Sequence, residues 1–275
     1  MTIGFIGQGW IGRNYADDFE KRGFDVVRYG LEPEYSENLE LLEQCSIVFV
    51  AVPTPTTAAA GFDLSIVRSV LALVAKHSTV VIKSTMLPGS TELLQSDFPW
   101  LYIFHSPEFL TEATAAHDAS HPKRNIVGTP KMDPEWLDRT RTIHGILPWA
   151  PFTATLPSAA AELVKYAGNA LLFTKVVFVN LLYDLAQQLG LEWHQIAGCL
   201  AADPRLGWTH LEPVHASGRG AGGHCFIKDF SALSDFYCAH VGDSGGMRVL
   251  FALAEKNIAL LQESGKDLDI LKGVY

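Results

Sequence analysis

Apolar residues in the first half of the chain fall into short runs separated by segments of a different period. Ile3–Gly7, Asp25–Tyr29, Ser46–Val52, Thr79–Lys83, Leu101–Phe104 and Asn125–Gly128 read as strands. Between them, Ile11–Lys21, Glu37–Glu43, Leu64–Ala75 and Ser90–Gln95 have helical character. Strands that alternate with helices predict an α/β fold, here an N-terminal Rossmann-like, doubly wound and largely parallel sheet with helices on both faces.

The proline-punctuated stretch from Leu147 to Pro157 breaks this rhythm and sets the expected boundary: a dinucleotide-binding domain over 1–157 and a helical central or dimerisation domain over 158–275. Ser158 suits an N-cap and Gly190 a C′ residue, which predicts one long helix of roughly 45 to 50 Å between them. Leu163, Val164, Leu171, Leu172, Val176, Val177, Phe178 and Leu182 surround that helix. A helix apolar on all sides needs more than one covering neighbour, so a second subunit is expected. The rest of the chain reads as helical, with a glycine-rich interruption between Gly207 and Gly223.

Composition narrows the function classes. With 48% hydrophobic and 19% charged residues the chain is too apolar for disorder. A net charge of -9 without a polybasic stretch argues against nucleic acid and anionic lipid as partners. Glu162, Lys165, Asn169, Lys175, Asn180 and Asp184 interrupt the long helix too often for a lipid-spanning segment. The first strand follows Met1 at once and leaves no room for a signal peptide, so a cytoplasmic location is expected. Cys45, Cys199, Cys225 and Cys238 have no paired spacing, and His210, His215 and His224 match no common zinc pattern; no metal is expected. Trp10, Trp136, Trp193 and Trp208 are read as packing residues.

Gly7-Gln8-Gly9-Trp10-Ile11-Gly12 follows the first strand and opens the first helix. In that context the glycines permit a tight turn, backbone approach to a pyrophosphate and close helix packing. An NAD site ordinarily ends its second strand on an acidic residue that binds the adenosine ribose. Gly30 stands there instead. Glu32 is within reach from the next loop, whereas Arg13 and Arg28 would suit a 2′-phosphate, so NAD is the expected cofactor with NADP not excluded.

Four further segments carry the chemistry: Val52-Pro53-Thr54-Pro55; Lys83 to Thr91, containing Thr85; Ser106-Pro107-Glu108-Phe109-Leu110-Thr111-Glu112; and Gly220-Ala221-Gly222-Gly223-His224-Cys225-Phe226-Ile227-Lys228-Asp229. In this order they resemble the signatures of the UDP-glucose/GDP-mannose dehydrogenase family. Ala161 to Asn169 and Asp203-Pro204-Arg205-Leu206-Gly207 resemble that family's central-domain motifs. Members typically carry a third, nucleotide-holding domain, and this chain is expected to lack it. The segment between Gly30 and Cys45 is shorter than usual, and Met86-Leu87-Pro88-Gly89 departs from the family's Pro-Pro-Gly.

The resemblance implies an NAD-dependent dehydrogenase that takes a primary alcohol, C6 of a nucleotide-linked or phosphorylated sugar, to a carboxylate. Cys225 would add to the intermediate aldehyde as a thiolate and carry a thioester. Lys165 and Asn169, four apart on one helical face, would stabilise the oxyanion. Glu108 would handle water as acid and base and share a helical face with Glu112; Thr85 would orient water or the nicotinamide, and Asp229 would orient Lys165 or water. Gly7, Gly9, Trp10, Ile11, Gly12, Val52, Pro53, Thr54, Thr85 and Lys228 would hold the cofactor. Glu108, Phe109, Leu110, Lys165, Asn169, Arg205 and Gly222 would hold substrate, Arg205 reaching a neighbouring subunit of a homodimer. Two alternatives stay open. A two-electron β-hydroxyacid dehydrogenase has no use for Cys225, and a catalytically silent dinucleotide-binding module would bind cofactor without turnover.

Overall fold

The computed structural model describes residues 1–57, 61–215 and 218–274. They form two compact units, Met1–Pro55 with Asp63–Lys165 and Thr56–Phe62 with Tyr166–Tyr275.

The first unit is built on a seven-stranded sheet of β1 (Thr2–Ile6), β2 (Asp25–Tyr29), β3 (Ile47–Val50), β4 (Thr79–Ile82), β5 (Tyr102–His105), β6 (Asn125–Thr129) and β7 (Thr153–Pro157). Their order is β2-β1-β3-β4-β5-β6-β7. β1 lies parallel between β2 and β3, with Ile3 opposite Val26 and Ile47, so the order reverses at β1. Ligands of such sheets sit at the carboxyl ends of the strands on either side of a reversal. β3 and β4 are fully buried apolar runs, as strands covered on both faces must be. Phe5, Phe49, Val81, Phe104 and Val127 from the sheet share a core with Tyr15, Ala16 and Phe19 of the helix Trp10–Lys21 and with Trp136 and Ile143 of the helix Pro134–Ile146.

Two elements depart from the sequence expectation. The stretch read as a proline-rich break contains β7, which pairs parallel to β6 over Asn125–Thr129. Pro157 is tolerated because it is the last residue of an edge strand. The helix Pro134–Ile146, started by Asp133, whose side chain accepts the Trp136 N–H, also escaped the periodicity reading. β5 and β6 pair antiparallel, the one such step in the ladder described.

The long helix runs Ser158–Gln188. It is long and apolar enough to cross a bilayer by length and composition alone, yet its Glu162 and Lys165 are buried on protein partners. Gly190, at φ 67°, ends it, with Leu191 N–H bonded to Ala186 O at 2.9 Å and Gly190 N–H to Gln187 O at 3.1 Å. Ser158 does not cap its own helix. Its hydroxyl donates to Glu92 (2.6 Å), and the same carboxylate oxygen accepts the Ala159 N–H.

The second unit is helical: Tyr166 onward of the long helix, then Trp193–Ala201, Gly223–His240, Ser244–Ser264 and Leu268–Val274. Two small ladders join it, Thr56–Thr57 with Gly61–Phe62 and Val214–His215 with Gly218–Arg219. Phe173, Val177, Ala221 and Phe230 form one core and Trp193, Ala197 and Leu211 another. Trp136 and Trp193 are each buried in the core of their own unit, whereas Trp10 and Trp208 are 41% and 54% exposed.

Candidate active site

In the first unit the glycine turn has the geometry its spacing implies. Gly7 adopts φ 90°, and a Cβ there would run into the Ala51 carbonyl; a Cβ on Gly12 would run into the Gly7 carbonyl. Gly9 differs, because nothing lies within 4 Å of where its Cβ would be. The helix beginning at Trp10 has no side-chain cap, so an open, positively polarised N-terminus faces that space, with Trp10 exposed and Ile11 half-buried beside it. The arrangement fits the pyrophosphate of a dinucleotide.

At the end of β2 the carboxylate of Glu32 folds back against Gly30. Arg28 is committed elsewhere: its guanidinium bonds Asp17 at 2.7 Å and Glu20 at 2.8 Å. The loops after β3 and β4 are laced together. The Ser84 hydroxyl accepts the Val52 N–H (2.9 Å) and donates to the Val52 carbonyl (2.7 Å), and Thr54 Oγ1 donates to the Thr85 carbonyl (2.7 Å). Pro53 stays exposed and Thr85 half-buried.

Lys165, Glu108 and Lys83 form a buried charge cluster. Lys165 Nζ and Glu108 Oε1 are 2.7 Å apart, and the other oxygen of Glu108 accepts the Leu110 N–H. Phe109 lies under the guanidinium of Arg124, 3.7 Å from its ring centroid, with Lys165 Nζ at 5.8 Å. Lys83 is 2% exposed, donates to Ser106 Oγ at 3.1 Å and sits 4.3 Å over the Tyr15 ring. Burial pulls its pKa down to about 7 despite the attraction of Glu108. Glu112 begins a 3-10 turn after an extended Thr111, and Glu108 belongs to no helix, so the two share no helical face.

Glu162, which the sequence reading left without a role, joins elements far apart in the chain. Its carboxylate accepts the N–H groups of Gly89 (2.7 Å) and Thr91 (2.8 Å) and the Thr91 hydroxyl (2.6 Å) at the start of the helix Ser90–Asp97. Glu92 returns the service to the start of the long helix.

In the second unit Gly222 and Gly223 lead into the helix that carries Cys225 in its first turn, where the residue is exposed. Asp229, one turn on and 2% exposed, accepts Asn169 Nδ2 at 2.6 Å and Lys228 Nζ at 2.6 Å. Asp229 therefore orients Asn169 and Lys228, while the ammonium of Lys165 belongs to Glu108. The His224 side chain lies outside the described residues. Arg205 is 87% exposed at its side chain and bonds Asp203.

The assembled motifs agree with comparisons against known proteins. Residues 30–146 match the NAD binding domain of the UDP-glucose/GDP-mannose dehydrogenase family, and residues 159–257 match its central domain. The chain belongs to the UDP-glucose/GDP-mannose dehydrogenase family. Within that family it is 30% identical over 249 residues to a UDP-glucose 6-dehydrogenase of Rickettsia conorii, covering 88% of this chain and 55% of that protein. A UDP-glucose 6-dehydrogenase of Rickettsia bellii is 31% identical over 281 residues, covering 94% and 62%. The chain thus spans about half the length of the curated relatives it matches. Among solved structures, a UDP-glucose dehydrogenase of Pyrobaculum islandicum aligns with a TM-score of 0.80 at 25% identity over 94% of this chain and 68% of that one. A 3-hydroxyisobutyrate dehydrogenase of Mycobacterium tuberculosis shares the fold, with a TM-score of 0.74 at 18% identity over 98% and 96%. The family assignment makes the first unit a nicotinamide dinucleotide domain.

Proposed function

We propose that the chain oxidises a primary alcohol, C6 of a nucleotide-linked sugar, to a carboxylate with NAD. One observation supports the reading above others: Cys225 stands exposed in the first turn of a glycine-led helix, with the Asp229–Asn169 bond one turn further along. Overall, alcohol, water and two oxidised cofactors become carboxylate, two reduced cofactors and three protons. The bound cofactor supplies the chemistry of accepting a hydride in each of two rounds, held by Gly7, Gly9, Trp10, Ile11, Gly12, Val52, Pro53, Thr54, Thr85 and Lys228.

The chain's own residues do the rest. Cys225 adds as thiolate to the aldehyde carbonyl, forming a C–S bond and a thiohemiacetal; oxidation of that carbon leaves a thioester. Lys165 and Asn169 donate to the oxygen that gathers negative charge. Asp229 holds the Asn169 amide in a donating orientation. Glu108 takes a proton from the water that attacks the thioester, and the C–S bond breaks to return the thiol. Thr85 orients that water. Glu108, Phe109, Leu110, Lys165, Asn169, Arg205 and Gly222 line the substrate.

Two features extend the proposal. Glu32, lying where a ribose-binding carboxylate is needed, selects NAD, because it would repel a 2′-phosphate and Arg28 is already spent on Asp17 and Glu20. Leu171, Phe178 and Leu185 along one side of the long helix, and Leu189 just past its end, are each more than half exposed, an apolar stripe suited to a second copy and to a homodimer that shares Arg205 between protomers. Cofactor stoichiometry tests the function. Two reduced cofactors per acid support it, whereas one per product favours the β-hydroxyacid reading, and NAD binding without turnover on any nucleoside diphosphate sugar favours a silent module.

A further inference from the structure

The loop that enters the cysteine helix is gripped by residues from much later in the chain. Ser264 Oγ accepts the Arg219 N–H at 3.0 Å. Asn257, 1% exposed, bonds both the N–H (2.7 Å) and the carbonyl (3.0 Å) of Ala221. Lys266 Nζ donates to the carbonyls of His215 (3.2 Å) and Gly220 (3.1 Å). Asp267 Oδ2 accepts the Gly223 N–H at 2.7 Å, two residues before Cys225. From the other side Arg219 reaches Asn180 (2.8 Å) and Asp184 (2.6 Å) on the long helix.

The grip brings these side chains close to two glycines of the loop. A Cβ on Gly218 would collide with Ser264, and one on Gly222 with Asp267 and Lys266. It is also costly to make. Lys266 is 6% exposed, and burial lowers its pKa although neighbouring Asp267 opposes the shift. Asp267 adopts φ 53°, a left-handed conformation that non-glycine residues adopt at some expense. A buried ammonium bonded to backbone carbonyls is a poor way to gain stability; what it secures is one conformation of the backbone it touches.

We infer that Lys266 and Asp267 are positioning residues for the Cys225 thiol, holding the 218–223 loop so that the first turn of the cysteine helix is presented in a single orientation. The inference rests on Cys225 being the nucleophile. A misplacement of the order of 1 Å at a reacting group costs up to about a hundredfold in rate, so a loosened loop shows in reactivity before it shows in folding.

The test uses iodoacetamide at neutral pH on the full chain, with alkylation of Cys225 read by mass spectrometry against Cys199, an exposed cysteine on another helix. Lys266→Met is expected to lower the Cys225 to Cys199 rate ratio and kcat by about tenfold each, with the KM for NAD unchanged. Lys266→Arg should restore both. Lys266→Gln, which keeps a donor without the charge, should give a smaller loss in the same direction and serves if Lys266→Met does not fold. Asp267→Ala should speed amide exchange at Gly223 and lower kcat. Faster exchange across 218–223 with the ratio and kcat unchanged would reduce the contacts to scaffolding and overturn the inference. A wild-type chain that makes no acid would sink the proposed function, while the alkylation ratio would still decide the clamp.

Discussion

Lys165 and Glu108 form an ion pair of 2.7 Å with side-chain exposures of only 7% and 4%. Removing one member of a buried pair strands the other, at a cost of about 3–5 kcal/mol. Glu108→Ala should therefore lower the melting temperature. Glu108→Gln, which retains an acceptor but no base, should leave NAD binding intact and cut acid release by at least about a hundredfold. Acid release at the wild-type rate in Glu108→Gln would remove Glu108 from the water step.

Cys225 is exposed, so Cys225→Ser is expected to leave the fold unchanged by circular dichroism. Acid formation should cease, and an ester linked to the new hydroxyl should be detectable by intact mass. Undiminished acid output in this variant would rule out the covalent route.

Glu162 provides a stability prediction with a definite sign. Burial, partly offset by its bonds to Thr91 and Gly89, raises its pKa to about 7 from 4.5. The folded state thus binds this proton more tightly than the unfolded state. Its contribution is full below about pH 4.5 and is lost as the pH climbs through 7. Glu162→Gln should flatten the fall in melting temperature over that window. An unchanged slope would show that the carboxyl titrates normally.

Glu32→Ala should narrow the preference for NAD over NADP, measured as Kd for each cofactor by titration calorimetry. The loss should fall on NAD affinity. Equal affinity for both cofactors in the wild type would refute the assignment.

Phe178→Asp with Leu185→Asp introduces charge into the exposed stripe of the long helix. Sedimentation should show a dimer for the wild type and a monomer for the variant. A monomeric wild type would exclude the shared Arg205 site.

Much of this was legible beforehand, for reasons that can be stated residue by residue. β3 and β4 announce themselves because a strand buried on both faces is a run of apolar residues, and the helix Trp10–Lys21 because a dinucleotide turn must be glycine at Gly7 and Gly12, where any Cβ meets a carbonyl. Lys83 stood in plain view as a charge directly after the apolar run of β4, and Glu162 as a charge just past the first turn of an apolar helix. β7 hid because prolines flank it, and edge strands tolerate what central strands refuse.

The sequence by itself determined the class of fold, the glycine turn, the order of the family's motifs and the residues available for chemistry, since each of these depends on local spacing and residue type. Only the tertiary structure decided the partners: that Lys165 pairs with Glu108 and Asp229 with Asn169, that Glu162 and Glu92 exchange caps, and that Lys266 and Asp267 grip the cysteine loop. Those bonds join residues between 44 and 73 positions apart, or 57 for the ion pair of residues 108 and 165. No local period encodes them; they arise because burial leaves a charged group no choice but to find whatever donor or acceptor the packed elements bring beside it.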